Sequence, residues 1–333
     1  MKQTKPYNQK LIRAVIENGQ QPLYEIFNNE SVERILSGAT LEKTLSRGKH
    51  SQKSLSIKSI DAGQDLACIF GLDWTVFADK YLQATSGDGQ EARRIRTLHS
   101  SSLLCLLCFY GVSEERPLNL IVDGRQVRFT SSQFEVKNPV GTDENGREHE
   151  SNMDIVLYGK DSLTGKKVIL FLESKFSEYL TWGKYSGISN HVYRKIYAQL
   201  CHGGVLERMG LKYENNLNTP GYFDLMSIKG QTKHYAGGIK QMISHFLGVQ
   251  NVSESSQYSG CEIYLGEILY RFPDQIDSHG EKYKDYANLH KLLAEGLNDI
   301  SNSKFKVLKN FLTYQDVFKD FKLDKTVKIF YSI

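Results

Sequence analysis

One segment constrains the fold of this chain more than any other: residues 168–172, Val-Ile-Leu-Phe-Leu, followed at once by Glu173, Ser174 and Lys175. Apolar residues at every position, rather than at alternate positions, predict a strand that is covered on both of its faces. Such a strand lies at the centre of a sheet with helices on either side. The sequence therefore predicts an α/β protein built around this segment.

The remaining elements are predicted from periodicity and from turn residues. Helical spacing predicts helices at 9–19, 30–38, 89–111, 189–209 and 235–248, the last ended by Gly248. Strands are expected at 118–122 and 126–129, joined by an Asp123-Gly124 hairpin turn, and at 133–140, 153–158 and 261–272. The basic stretch 43–58 predicts an exposed connector, and the tail from 280 predicts two helices and a final strand at 326–333.

The residues that carry chemistry lie on two successive strands. Asp154 is near the start of the strand at 153–158, and Glu173 and Lys175 end the apolar strand. Since strand side chains alternate faces, Glu173 and Lys175 point the same way, and an antiparallel neighbour brings Asp154 beside them. Two carboxylates with a backbone carbonyl and waters suit Mg²⁺, which commonly takes only one or two protein carboxylates. The pattern predicts metal-assisted phosphodiester hydrolysis, with Lys175 orienting the attacking water.

An acid, any residue and lysine form a common pattern, so its context decides. Two further copies are Glu135-Val136-Lys137 and Asp320-Phe321-Lys322. The last has no strand partner. The first could use Asp123 as its upstream acid, but the Asp-Gly turn explains Asp123 better. The alternative is a structural ion pair between Glu173 and Lys175, because charges on a doubly buried strand must be paired or metal-bound. That alternative leaves Asp154 unexplained.

Asp154, a gap of eighteen residues and then Glu173-Ser174-Lys175 resemble the signature of the PD-(D/E)xK superfamily of restriction-endonuclease-like nucleases. The superfamily core runs helix, three strands, helix, strand, and residues 89–272 offer that order with insertions. Met153 stands where the namesake proline would precede the first acid. The resemblance implies a central mixed sheet flanked by helices, a Mg²⁺ cofactor that Mn²⁺ can replace, and cleavage that leaves a 5′-phosphate.

The resemblance also implies further site residues. A third acid, from the first helix or the first strand, matches Glu135 in the strand at 133–140 or Glu91 at the start of the long helix. A glutamine on the helix after the lysine-bearing strand matches Gln241, with Gln199 as the competitor. The expected metal ligands are therefore Asp154, Glu173 and Glu135, and the expected catalytic set adds Lys175 and Gln241.

Composition limits the classes of protein without selecting one. A chain of 333 residues that is 40% hydrophobic can bury a large core, which excludes disordered and small disulfide-linked proteins. The net charge of +4 permits a nucleic-acid partner but does not indicate one. Five scattered cysteines favour a reducing compartment, and Cys105 and Cys108 lack a second pair at zinc spacing, so core packing is expected for them. No apolar run approaches the roughly 18 residues of a membrane span, and a cytoplasmic location is expected.

The predicted organisation has three parts: an N-terminal helical region with a basic linker at 1–88, a nuclease-like core at 89–272 and a C-terminal helical extension at 273–333. The expected function is metal-dependent nuclease activity, with an endonuclease favoured over an exonuclease and DNA over RNA. Membranes are not expected as a partner, and a homodimer is left open. The alternative is a non-catalytic nucleic-acid-binding or assembly module on the same fold, because function depends on the site and not on the fold.

Overall fold

The computed structural model describes residues 41–43, 55–57, 60–86, 91–98, 100–143, 145–177, 179, 185–188, 191–215, 223–227, 236–272, 280–302, 304–331 and 333. The helices predicted at 9–19 and 30–38, and most of the basic stretch 43–58, lie outside these residues. Within that stretch, residues 55–57 form a strand and Ile57 is buried. This part of the expected connector is therefore packed.

Three sheets are formed by twelve strands of the described residues. The strands are β1 (Leu41–Lys43), β2 (Leu55–Ile57), β3 (Leu118–Val122), β4 (Arg125–Thr142), β5 (Glu148–Asp161), β6 (Lys167–Lys175), β7 (Tyr185–Ile188), β8 (Leu211–Asn215), β9 (Phe223–Ser227), β10 (Glu262–Leu269), β11 (Lys306–Val307) and β12 (Leu312–Thr313). The main sheet has seven strands in the order β11-β10-β6-β5-β4-β3, with β12 also paired to β10. Strands β7, β9 and β8 form a small antiparallel sheet, and β1 pairs with β2.

Helices cover both faces of the main sheet. They are α1 (Ala62–Phe70), α2 (Trp74–Ala84), α3 (Glu91–Arg94), α4 (Ser101–Phe109), α5 (His191–His202), α6 (Val205–Arg208), α7 (Ala236–Ser253), α8 (Glu281–Ile300), α9 (Tyr314–Val317) and α10 (Lys325–Tyr331). Helices α1, α2, α4, α9 and α10 pack into one apolar core, which we call the first-face core. Helices α5, α6 and α7 and most of α8 pack into the other, the second-face core.

Strand β6 lies inside this sheet, as its apolar run predicts. It pairs antiparallel with β5 and parallel with β10, so the sheet is mixed. Every residue of β6 after the first is buried. Leu170 and Leu172 point into the first-face core, while Ile169 and Phe171 point into the second-face core. The predicted α/β class and the central position of this strand are confirmed.

The hairpin predicted at Asp123-Gly124 is also confirmed. Strands β3 and β4 pair antiparallel on either side of it, and both turn residues have positive φ, 49° at Asp123 and 79° at Gly124. This is the backbone conformation that a two-residue hairpin turn requires. Strand β4 then runs on to Thr142, so the strand expected at 133–140 is the second half of one long strand.

Two predicted helices are interrupted. The stretch 89–111 was expected to form one helix, but it contains α3 and then α4, which begins after Ser100 accepts a hydrogen bond from the Ser102 backbone N–H at 3.2 Å. The side-chain cap restarts the helix because it satisfies a backbone donor of the first turn. The stretch 189–209 likewise divides into α5 and α6, with Gly204 at φ 65° between them.

Gly248 does not end its helix as expected, because α7 continues to Ser253. A Cβ atom at Gly248 would lie 2.9 Å from the Asn138 Cβ atom and would also overlap the Ser151 hydroxyl. The glycine therefore permits α7 to lie close against β4 and β5, instead of terminating the helix.

The final strand expected at 326–333 is wrong, since residues 325–331 form α10. Val327, Phe330 and Tyr331 are buried at helical spacing in the first-face core, whereas Ile329 is 38% exposed. Strand alternation would have buried Ile329 with Val327. Strands β11 and β12, which precede α10, pair with β10 and so join the C-terminal part of the chain to the main sheet. No described helix is both long and apolar enough to span a bilayer.

Candidate active site

Three acidic residues lie on adjacent strands of the main sheet. The antiparallel register of β4 and β5 pairs the neighbours of Glu135 with the neighbours of Asp154, so these acids lie opposite each other. Asp154 and Glu173 occupy the next positions after the last pair formed by β5 and β6. The topology thus brings Glu135, Asp154 and Glu173 into one row across three strands.

At this row, the side chains of β4 and β5 stop alternating regularly between the two faces of the sheet. Phe134 lies in the first-face core, but Val136, two residues later, packs against the second-face core. The same change occurs in β5 between Ile155 and Met153. Residues two apart in a regular strand share a face, so the alternation breaks at the acid between each pair.

Glu135 has the unusual backbone conformation that produces the change. Its φ of 49° lies in the left-handed region, and among the described non-glycine residues only Asp123, in the hairpin turn, shares this feature. Glu135 is nonetheless 7% exposed and therefore buried. The Lys80 ammonium donates to the Ser132 carbonyl at 2.6 Å and holds β4 just before this point. Conformations of this kind are costly and cluster at functional sites.

Asp154 is held at one of its oxygens. Its Oδ2 atom accepts a hydrogen bond from the Ser174 backbone N–H at 2.7 Å. Its Oδ1 atom accepts none from any described residue, and the residue is partly exposed. Burial of the carboxyl group, and then the charges of Glu173 and Glu135, raise the pKa of Asp154 well above its ordinary value, with Lys175 offsetting part of the rise. Asp154 therefore lies close to two other acidic side chains, and one of its carboxylate oxygens accepts no hydrogen bond from the described residues.

Glu173, Lys175 and Gln241 form a closed triangle of hydrogen bonds. The Lys175 ammonium donates to Glu173 Oε1 at 2.8 Å and to the Gln241 carbonyl oxygen at 2.6 Å. The Gln241 amide in turn donates to Glu173 Oε1. Glu173 and Lys175 are buried, while Gln241, on α7, is exposed. The lysine is thus fixed in direction by two acceptors.

The charge state of Glu173 follows from its partners. Burial alone would raise the pKa of its carboxyl group, but the Lys175 charge and the contact with His245 outweigh burial and lower that pKa to about 2. Glu173 is therefore ionised at neutral pH. A buried carboxylate in this state is costly unless it is paired, which these contacts accomplish.

The structure brings Asp154, Glu173, Lys175 and Gln241 together. Glu135 lies opposite Asp154 on the neighbouring strand β4. It leaves Gln199 exposed on α5, with no hydrogen bond to these residues. Glu91 begins α3, but its side chain is outside the described part of the chain. Of the two candidates for the third acid, Glu135 is therefore the one whose described geometry supports a place in the site.

His245 belongs to this cluster, although no motif in the sequence singles it out. Its Nε2 atom lies 2.9 Å from Glu173 Oε2, and both side chains are about as buried as the core. His245 follows Gln241 by four residues on α7, so both side chains lie on one face of the helix. This i, i+4 spacing was the available signal, but it acquires meaning only once Gln241 is placed at the site.

The residue between the acid and the lysine points to the other face of the sheet. The Ser174 hydroxyl lies 2.7 Å from the Tyr314 hydroxyl and donates to the Ser101 carbonyl at 3.0 Å. Tyr314 belongs to the C-terminal part of the chain and is fully buried. Ser174 thus links helices of the first face to the backbone N–H that holds Asp154.

The donor atoms of this site match the requirements of a divalent cation only in part. No three His, Cys, Asp or Glu side chains of the described residues come together as a ready-made metal cage. The three-carboxylate set expected from the sequence is therefore not preassembled. Asp154 nevertheless offers an open oxygen beside two further carboxylates, and a cation would relieve their mutual repulsion. Mg²⁺ requires only one or two carboxylates, because it keeps several waters.

Cys105 and Cys108 are packed in the core. Both are free and buried in α4, as expected for core packing. Burial raises the pKa of each thiol well above its ordinary value. Thiols in this state are poor metal ligands and poor nucleophiles.

Part of the chain is similar to a known protein family. Residues 73–223, somewhat less than half of the chain, match the family described as restriction endonuclease associating with ARP. This span includes β4, β5 and β6 with Glu135, Asp154, Glu173 and Lys175, but ends before Gln241. No curated protein and no solved structure matches the chain. This part of the chain is therefore similar to a restriction-endonuclease-like family, and the mixed sheet flanked by helices is consistent with the core of such a protein.

Proposed function

We propose that this protein is a metal-dependent nuclease that hydrolyses phosphodiester bonds in DNA and leaves a 5′-phosphate. The family match supports a nuclease-like role in general. The observation that carries the finer proposal is the convergence of Asp154, Glu173, Lys175 and Gln241 at the point where β5 and β6 meet. No other described part of the chain combines crowded carboxylates with a directed lysine in this way.

Asp154 and Glu173, with Glu135 beside them, would hold the Mg²⁺ ion, and Mn²⁺ would substitute for it. When bound, the ion supplies Lewis acidity to the phosphoryl group and makes water a better nucleophile. Asp154 offers its open Oδ1 atom, while the Ser174 backbone N–H keeps Oδ2 in place. The geometry of the acid is thus set before any ligand arrives.

Lys175 has two tasks in this proposal. Its ammonium group orients the attacking water and offsets the charge that develops on the phosphoryl oxygens during attack. Gln241 fixes the direction of the ammonium group through a 2.6 Å hydrogen bond. Gln241 is also exposed, and its amide has a second N–H, beyond the one that Glu173 accepts, to donate to a phosphate oxygen or a water. The lysine and the glutamine therefore act as one unit.

The alternative function, a non-catalytic module on the same fold, is favoured by one observation. Glu173 Oε1 already accepts two hydrogen bonds and Oε2 lies 2.9 Å from His245 Nε2, so protein groups contact both oxygens of the carboxylate. A purely structural network would look the same around Glu173. It would give no reason for the open oxygen of Asp154 or for the left-handed backbone at Glu135.

The experiment compares wild type with Asp154→Asn on supercoiled plasmid, linear duplex, single-stranded DNA and RNA, each with Mg²⁺, Mn²⁺ or EDTA. We expect wild type to cut DNA only with metal, products that a ligase can rejoin without phosphorylation, and a loss of at least 100-fold in the variant. Asparagine preserves the shape of the side chain and the acceptor for Ser174, so folding should be retained. Faster cutting of RNA than DNA would correct the substrate, and no cutting of any polymer would favour the non-catalytic module.

A further inference from the structure

The contact between His245 and Glu173 has no role in the chemistry described so far. His245 lies on α7, one turn after Gln241, and its side chain is 3% exposed. Its Nε2 atom is 2.9 Å from Glu173 Oε2, at an angle outside ordinary hydrogen bonds, and its Nδ1 atom has no hydrogen-bond partner among the described residues. A buried imidazole that is this poorly satisfied costs stability, so it calls for an explanation.

The two oxygens of Glu173 are held from different directions. Lys175 and Gln241 both donate to Oε1, whereas His245 is the described residue that faces Oε2. A carboxylate held at one oxygen can still rotate about its last torsion, which is broad for glutamate. Contact at the second oxygen removes that rotation. The two residues of α7 therefore determine the plane of the Glu173 carboxylate together.

We infer that His245 is a positioning residue for Glu173, and that it sets the orientation in which this carboxylate meets the metal ion and Lys175. This inference rests on the proposed function. A group that orients a metal-binding carboxylate changes metal affinity or activity by about 10–100-fold when it is removed, although it touches neither metal nor substrate. His245 acts in that way through Glu173.

The chain contains a matched control one strand away. Glu267 on β10 is paired in register with Glu173, and it faces His290 of α8 at 3.2 Å. His290 is as buried as His245, and its Nε2 atom donates to the Leu308 carbonyl at 2.8 Å. This second acid and histidine lie outside the proposed catalytic set. The same substitution at His290 therefore separates general loss of stability from loss of orientation at the site.

The test uses the full chain with His245→Leu, His245→Gln and His290→Leu. Leucine removes the donor at similar volume, while the glutamine amide restores a donor near the position of Nε2. Four quantities are measured: the Mn²⁺ dissociation constant in the absence of DNA, by electron paramagnetic resonance; kcat and KM on duplex DNA; and the melting temperature. If His245→Leu does not fold, His245→Asn, whose amide is too short to reach Glu173, takes its place.

We expect His245→Leu to weaken Mn²⁺ binding and lower kcat, each by about 10–100-fold, with little change in KM for DNA. His245→Gln should recover most of both. His290→Leu should lower the melting temperature but keep Mn²⁺ affinity and kcat within about threefold of wild type. The inference is overturned if His245→Leu affects Mn²⁺ binding no more than His290→Leu does, or if His245→Gln recovers nothing.

These outcomes separate the inference from the proposed function. Wild type that binds Mn²⁺ but cuts no polymer would contradict the nuclease proposal, and the Mn²⁺ comparison would still decide the role of His245. Wild type that binds no Mn²⁺ and cuts nothing would overturn both.

Discussion

Glu173 and Glu267 occupy paired positions on the parallel strands β6 and β10, and each presents a buried carboxylate to a histidine from a covering helix. The two environments differ in what else they contain. Glu173 is bonded to a lysine and to an exposed glutamine, whereas Glu267 accepts a hydrogen bond from the buried Tyr286 hydroxyl at 2.9 Å. Glu173 thus belongs to a cluster that reaches the surface at Gln241, whereas Glu267 links α8 to the sheet.

Replacement of Glu267 should reduce stability strongly. Glu267→Leu removes the buried acceptor of the Tyr286 hydroxyl and the carboxylate that His290 contacts at 3.2 Å, and loss of one partner from a buried polar contact costs about 1–3 kcal/mol. Urea unfolding followed by circular dichroism measures the change. The control is Glu262→Leu on the same strand, which removes partly exposed pairs with Arg125 and Lys166 and should cost about 1 kcal/mol or less. Equal losses in the two variants would contradict the structural role of Glu267.

The close packing of α7 on the sheet should depend on Gly248. Gly248→Ala places a methyl group 2.9 Å from the Asn138 Cβ atom, and overpacking of this kind costs about 1–3 kcal/mol. Because α7 carries Gln241 and His245, we also expect lower nuclease activity. Gly203→Ala is the control, since its nearest neighbour would be an ordinary 3.5 Å away. A neutral Gly248→Ala variant would mean that α7 is not held where the structure places it.

The hydrogen bond between Ser174 and Tyr314 should be detectable as an energetic coupling. Ser174→Ala and Tyr314→Phe each leave a buried hydroxyl without its partner at 2.7 Å, while the double variant removes both groups. We expect a coupling of about 1 kcal/mol in a double-mutant cycle of unfolding free energies. Additive single effects would show that the two hydroxyl groups do not interact.

Acid should weaken the fold partly through Glu173. The pKa of this carboxyl group is about 2 in the folded protein, against an ordinary value of 4.5, because the charge of Lys175 and the contact with His245 outweigh burial. A lowered folded-state pKa contributes stability that is complete above the ordinary value and is lost as the pH falls through the folded value. The difference in unfolding free energy between wild type and Glu173→Gln should therefore shrink as the pH falls from about 5 to about 2. A difference that is constant over this range would contradict the assignment.

The sequence predicted the centre of the fold because its signals are local. The unbroken apolar run of β6 and the Asp123-Gly124 turn each determine their own structure. The final helix was missed because Val327, Ile329 and Tyr331 also fit strand alternation, and only the packing of Phe330 in the first-face core selects the helix. A glycine after a helical pattern favours a helix stop at Gly248, because close approach to another element leaves no mark in a single sequence.

The candidate site was predictable where its residues are near in sequence. Asp154, Glu173 and Lys175 follow from strand order and alternation. His245 could not be selected from nine histidines, because its partner is 72 positions away and the contact exists only when α7 lies on the sheet. The left-handed conformation of Glu135 was equally hidden, since glutamate has no preference for it.

The most direct test of the central claim compares two lysines that share the same sequence pattern. Lys175 is buried against Glu173 and Gln241, whereas Lys137 of Glu135-Val136-Lys137 is exposed and pairs loosely with Glu150 at 3.8 Å. We predict that Lys175→Ala lowers the rate of Mg²⁺-dependent plasmid cleavage by at least 100-fold, and that Lys137→Ala changes it by less than threefold. Cleavage that survives in Lys175→Ala, or that fails equally in Lys137→Ala, would contradict the placement of the active site.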